Sequence, residues 1–161
     1  MERVSKHNYY LDIAQTVSER CTCLRRHFGA IIVKNDTIVS TGYNGAPRGR
    51  ANCSDLGYCR REKLNIPRGE RYELCRSVHA EANAIIAASR EEILGATLYM
   101  ACVSPDGSLY AGSNSCAMCK RLIINAGIAR VIIRNTPEEY VEIDVRDWIE
   151  QDDSLGNTLG Y

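Results

Sequence analysis

The chain lacks net charge: its 20 Lys and Arg residues balance 20 Asp and Glu residues over 161 positions. A polynucleotide-binding protein would favour a basic excess, so the balance gives no electrostatic case for DNA or RNA as a partner, although a local basic patch is compatible with it. The chain also lacks an apolar run long enough to span a bilayer. Its first residues, MERVSKHNYYLDIAQ, contain no apolar stretch of the kind a secretory signal needs. Together these absences give the expectation of a cytoplasmic protein with no membrane partner.

Cysteine, by contrast, is abundant, with eight residues. In a small exported protein that count would suggest a disulfide framework. Here nothing points to export, and the chain is long enough to bury a core in one domain. Metal thiolates in a reducing compartment are the better reading. A single cysteine is ordinarily a buried, inert thiol, which is the expectation for Cys102.

Hydrophobic spacing organises the rest. Leu11, Ile13, Ala14 and Val17 predict a helix over Lys6–Arg20. Two β-branched runs, Ala30–Val33 and Thr37–Tyr43, flank Asn35 and Asp36 and predict a hairpin. Gly42, Gly45, Pro47 and Gly49 close the second strand. A cysteine-rich loop follows, from about 45 to 77, with a short helix expected near Tyr58–Leu64. A loop of that length is uncommon without a function or a metal. Further helices are expected over His79–Arg90 and Cys116–Ala126, the latter stopped by Gly127. Thr97–Val103, Arg130–Arg134 and Tyr140–Ile143 read as strands, Asp144–Asp152 as a last helix, and a polar tail runs from about 153. With no repeat or linker, alternating strands and helices predict one α/β domain over 1–161, in three layers.

The chemistry lies in two short motifs. His79-Ala80-Glu81 and Cys116-Ala117-Met118-Cys119 each fall where a helix should begin. One imidazole and two thiolates are three zinc ligands, which leaves a fourth position open, as in catalytic rather than structural zinc sites. Helix N-termini favour thiolate over thiol. Glu81 is then a candidate proton carrier for a water at the open position, and the arrangement points to hydrolytic deamination of a nucleobase. Each motif alone occurs often by chance; together, in this order and with a strand between, they are a strong signal.

These residues resemble the cytidine deaminase superfamily. Gly42-Tyr43-Asn44-Gly45-Ala46-Pro47, His79-Ala80-Glu81-Ala82-Asn83-Ala84-Ile85 and the run from Cys116 to Ile128 are similar to the deoxycytidylate (dCMP) deaminases within it. The resemblance implies a three-layer α/β/α fold around a mixed sheet, and zinc held by His79, Cys116 and Cys119. It implies that Glu81 moves a proton from water to the ring nitrogen and later to the departing ammonia, so that dCMP becomes dUMP. It gives Asn44 a contact to the sugar hydroxyl and the backbone at Ala80 a contact to the base; from its residues alone, Asn44 would be a turn residue. It also implies a homo-oligomer, a hexamer being favoured, and dCTP and dTTP effectors with Mg2+.

Two departures stand out. The family usually carries proline before the first zinc cysteine, whereas Ser115 stands here, where it can serve as an N-cap. Ser104–Asn114 looks inserted and should lie beside the substrate pocket. Cys23, Cys53, Cys59 and Cys75 are expected as a second, structural zinc site that would pin the long loop, with Cys21 an alternative to Cys23 and free thiols the plain alternative. Arg48, Arg50, Lys120 and Arg121 are candidate phosphate contacts by their nearness to the motifs. His27 is expected to be structural, and Trp148 to pack either a subunit interface or the core. Two other functions are weighed against dCMP deamination. One is deamination of another cytosine nucleoside or nucleotide, or of a tRNA base, the last disfavoured by zero net charge. The other is a non-catalytic zinc module, for which Glu81 would have no use.

Overall fold

In the computed structural model, which describes residues 1–156, β1 (His27–Lys34) and β2 (Thr37–Tyr43) form the expected hairpin. Asn35 and Asp36 turn the chain at φ of 51° and 57°. Positive φ at both central residues is what a tight two-residue hairpin turn needs, and Asn and Asp tolerate it. β3 (Thr97–Val103) pairs antiparallel with β1 on its other side. β4 (Arg130–Arg134) lies parallel to β3, and β5 (Tyr140–Asp144) antiparallel to β4. The result is one mixed five-stranded sheet in the order β2-β1-β3-β4-β5.

Strand alternation decides the layers. Ile31, Val33, Tyr99, Ala101 and Ile132 face Tyr10, Leu11 and Ala14 of α1 (Lys6–Ser18). Ala30, Ile32, Leu98, Met100, Val131 and Ile133 face the opposite helices, where Ala80, Ala84, Ile93, Ile123 and Val145 meet them. With both faces covered, the strand interiors are apolar at successive positions rather than alternately. Each large side chain fully buried this way stabilises the fold by roughly 1.5–3 kcal/mol before entropy is counted.

The opposite layer holds α4 (Ala80–Ile86), α5 (Arg90–Ile93), α6 (Ala117–Ala126) and α7 (Val145–Glu150). The helix expected over His79–Arg90 ends early, at Ile86, and a second helix begins at Arg90. Ser89 starts the second: its Oγ accepts from Glu92 N at 3.2 Å, and the Glu92 carboxylate accepts from Ser89 N at 3.1 Å. This reciprocal cap competes with continuation of α4. α6 forms the crossover between parallel β3 and β4, a link that hairpins do not supply. The cysteine-rich loop carries α2 (Cys53–Leu56), α3 (Arg60–Lys63) and a 3-10 turn at Tyr72–Leu74, where one short helix was expected. The end of the expected polar tail, residues 157–161, lies outside the described residues.

Candidate active site

Two helix starts build the site. His79 is the N-cap of α4 and Cys116 the N-cap of α6, both with extended backbone. Cys116, not Ser115, therefore caps α6, and its Sγ accepts from Cys119 N at 3.4 Å. His79 Nδ1 lies 3.5 Å from Cys116 Sγ and 3.4 Å from Cys119 Sγ. The three ligand atoms fall within 4.8 Å of one another, the one such group of three or more His, Cys, Asp or Glu among the described residues.

The sheet fixes where α4 begins. Gly42 in β2 lies against its first turns, and a Cβ there would stand 2.3 Å from Ala80 O and 2.4 Å from Ala84 N. Only a residue without a side chain permits that approach. Gly45 and Val78 exchange two backbone hydrogen bonds, at 3.2 and 2.7 Å, just before His79. Asn83 Nδ2 donates to Tyr43 O at 2.8 Å.

The donor set suits zinc: one imidazole and two thiols, partly or fully buried at positive helix ends. Burial alone would lower the His79 pKa, but hydrogen bonds to Cys116 and Cys75 and the nearby Glu81 raise it to about 10. The Cys116 thiol is pulled down to about 4, first by the hydrogen bond from Cys119 and, against its burial, by His79. Cys119 is pushed up by that same bond and by burial, so it keeps its proton. Such a cluster exchanges protons for a bound cation.

Glu81 is 4% exposed. Burial raises its pKa, opposed by His79 and helped by Cys116. Ser115 Oγ is fully buried without a hydrogen bond of its own, yet near enough to Glu81 to favour the charged carboxylate. Ala80 is wholly buried at the first helical position. Asn44 is buried as well, but not as a simple turn residue. Its Oδ1 accepts from Phe28 N at 2.8 Å and its Nδ2 donates to Arg26 O at 2.9 Å, which ties the end of β2 to the start of β1.

A cavity opens over this floor. His79, Glu81, Cys116 and Asn44 line it, and so do Tyr110 and Asn114 from the segment that looked inserted. Arg25, Arg26, Arg61 and Arg68 complete its wall. None of the four basic residues picked by sequence nearness lines it. Arg50 lines a second cavity, and Lys120 sits 5.1 Å from the Trp148 ring and 4.0 Å from Asp153. The cavity arginines lie in segments apart from the motifs they join, so nearness in sequence carried no signal for them; Arg26, just before β1, and a loop at Arg68 look ordinary in isolation.

The four cysteines expected as a second zinc site are neighbours, but no three of their sulfurs meet as a ligand cluster among the described residues. Cys75 faces His79 instead: burial raises its thiol, but the hydrogen bond to His79, the Ser77 backbone and the charges of His79 and Arg61 together hold it below its usual value. Cys53 is buried at the start of α2, its thiol pushed up by burial and then by Cys23, Cys75 and Cys59. His27 Nε2 contacts Cys23 O at 2.9 Å, a structural role.

Comparison with known proteins agrees with the geometry. Residues 4–135 match the family model described as the cytidine and deoxycytidylate deaminase zinc-binding region. Deoxycytidylate deaminase of Mycobacterium phage D29 is 38% identical over 136 residues, covering 82% of this chain and 96% of the phage protein. Deoxycytidylate deaminase of Schizosaccharomyces pombe is 32% identical over 130 residues, 81% of this chain but 37% of the yeast protein. The apo crystal structure of dCMP deaminase from cyanophage S-TIM5 superposes with a TM-score of 0.58 at 28% identity, covering 83% of this chain and 86% of that one. The matched region spans both helix starts and the His79, Cys116 and Cys119 cluster, and on that ground the chain belongs to the cytidine and deoxycytidylate deaminase family.

Proposed function

We infer that the chain is a zinc-dependent hydrolase that converts dCMP and water to dUMP and ammonia. One observation carries this reading: a His-Cys-Cys cluster with a buried carboxylate two residues from the histidine, at the floor of a cavity walled by arginines. His79, Cys116 and Cys119 would hold zinc. When bound, zinc supplies Lewis acidity that makes water nucleophilic near neutral pH. Glu81 is the proton carrier. Its raised pKa suits it to accept a proton from the attacking water, deliver it to the ring nitrogen, and serve the leaving ammonia in turn. Asn44 has one lone pair on Oδ1 and one N–H left for a sugar hydroxyl. The Ala80 N–H, in the first turn of α4, has no acceptor within its helix and is available to the base.

Glu81→Gln tests the mechanism. Turnover should fall about 10²- to 10⁴-fold while zinc content is kept; retained activity in the variant overturns the role of Glu81, and an unaltered zinc-loaded protein without turnover would favour the non-catalytic zinc module. Ammonia release from dCMP, CMP, deoxycytidine, cytidine and dCTP tests the substrate. A preference for an unphosphorylated nucleoside would overturn dCMP.

Finer features belong to the same proposal. The whole chain forms one domain acting in the cytoplasm as a homo-oligomer, a hexamer by family likeness. Exposed Ile86, Leu122 and Ile149 on the α4, α6 and α7 layer support association, and sedimentation tests it. Regulation by dCTP and dTTP with Mg2+ is supported by the second cavity, where Arg50, Arg60 and Arg76 would suit a polyphosphate. A second zinc at Cys23, Cys53, Cys59 and Cys75 would have to draw these neighbours closer. Near two zinc ions per chain supports it, and near one rejects it.

A further inference from the structure

The cavity over His79 is lined by four arginines and one acid, Glu81, in a chain of zero net charge. Arg26 Nη1 donates to its neighbour's carbonyl, Arg25 O, at 3.2 Å, whereas two other arginines are engaged across the loop. Arg61 is buried, and its Nη2 donates to the carbonyls of Pro67 at 2.6 Å and Glu70 at 2.7 Å. Arg25 Nε pairs with Glu62 at 3.0 Å. Arg26 and Arg68 have no carboxylate partner among the described residues. Both converge on Tyr110. The guanidinium carbon of Arg26 stands 4.1 Å from the ring centroid and that of Arg68 5.3 Å, while Arg68 Nη1 donates to the phenol oxygen at 2.6 Å. Three separate segments thus meet: the residue before β1, the cysteine-rich loop, and the 104–114 segment. Arg26, and then Arg68, hold the Tyr110 phenol below its usual range, which shows how positive its surroundings are.

Glu81 and His79 mark the base end. Asn44, assigned to the sugar, donates from Nδ2 to the carbonyl of Arg26 itself, so the residue beside the sugar fixes the residue beyond it. We propose that Arg26 and Arg68 form the phosphomonoester subsite of this cavity, with Tyr110 a positioning residue that stacks against both guanidinium groups. The direction in which the nucleotide lies rests on the deaminase reading above. A guanidinium fork matches phosphate oxygens in a plane, and stacking on an aromatic ring fixes that plane before the ligand arrives. Two such groups without a competing carboxylate favour a dianion over a neutral nucleoside.

The test compares Arg26→Ala, Arg68→Ala, Arg68→Lys and Tyr110→Phe with the unaltered zinc-loaded protein. The ratio of kcat/KM for dCMP to that for deoxycytidine should fall at least about 30-fold in each alanine variant, as expected for loss of a charge-assisted contact. Arg68→Lys, which keeps the charge without the fork, should fall between. Tyr110→Phe should lower the ratio by about 3- to 10-fold, through KM rather than kcat. A ratio unchanged within about 3-fold in both alanine variants overturns the subsite. If Arg26→Ala unfolds, the exposed Arg68 decides alone. Calorimetric binding of dUMP and deoxyuridine separates the two proposals. A protein that binds dUMP no more tightly than deoxyuridine overturns the subsite even if it deaminates. One that binds dUMP through Arg26 and Arg68 but releases no ammonia overturns the deaminase reading and leaves the subsite standing.

Discussion

One wall of the cavity consists of helix starts fixed to the sheet, and the other of loop segments held by their own side chains. On the first, α4 lies against Gly42 at backbone contact, and Ala80, Ala84, Cys119 and Ile123 are buried without exposure. On the second, Arg61 clasps two carbonyls, Arg76 Nε donates to Ala51 O at 2.7 Å, and Tyr72 Oη accepts from Gly69 N at 3.1 Å. The first wall carries the ligand cluster and Glu81. The second carries the arginines and Tyr110. Bond-making groups thus sit on the part of the fold that deforms least, and recognition groups on segments that tolerate change.

That contrast can be broken from either side. The largest effect should come from Cys119→Ala, which removes a ligand from the rigid wall; zinc content and turnover should both fall to near background, as measured by metal analysis and ammonia release. Gly42→Val comes next. Its Cβ has no room against Ala80 O, so α4 must shift; stability should drop by about 1–3 kcal/mol and kcat by roughly 10- to 100-fold, read by thermal unfolding and steady-state rates. Arg61→Ala attacks the loop wall. It leaves the Pro67 and Glu70 carbonyls without their donor, so KM for dCMP should rise about 10-fold with kcat changed less than about 3-fold. An equal fall in kcat would show that the two walls are not separable.

The smallest effect should come from Asp36→Asn, far from both walls. The Asp36 carboxyl is held below its ordinary 3.8 by hydrogen bonds from Lys6 and then Tyr10. Its stabilisation is therefore present above the unfolded value and is lost as pH falls through the lower folded value. Asn accepts the same positive φ but can accept from only one of Lys6 and Tyr10, so the change keeps the turn while removing the charge and one hydrogen bond. The variant should melt at a slightly lower temperature near pH 7, and the difference should begin to shrink near pH 3.8 and vanish only below the lower folded value. A difference that persists in acid would show that turn geometry, not charge, is at work.

The rigid wall was legible in the sequence and the loop wall was not. β3 and β4 appear at the expected residues because sheet faces covered on both sides leave unbroken apolar runs. The ligand cluster was legible because its residues are tied to helix starts by local spacing. The early end of α4 had a signal, Ser89 with Glu92 three residues on, but good helix propensity on either side masked it. The arginines had none: Arg26 and Arg68 meet only through a tertiary path, and Arg121, next to a motif in sequence, is exposed on a helix away from the cavity.

The crossover helix has one more consequence. Val103 at the end of β3 and Ser115 before α6 are both buried, so the ends of the 104–114 segment are anchored while its middle is exposed. Closing a longer loop between fixed ends costs only about 0.6 kcal/mol per doubling of length. The segment can therefore be lengthened, shortened or exchanged between lineages without moving Cys116. It offers a cassette through which this scaffold can be re-aimed at other substrates while its bond-breaking end stays as it is.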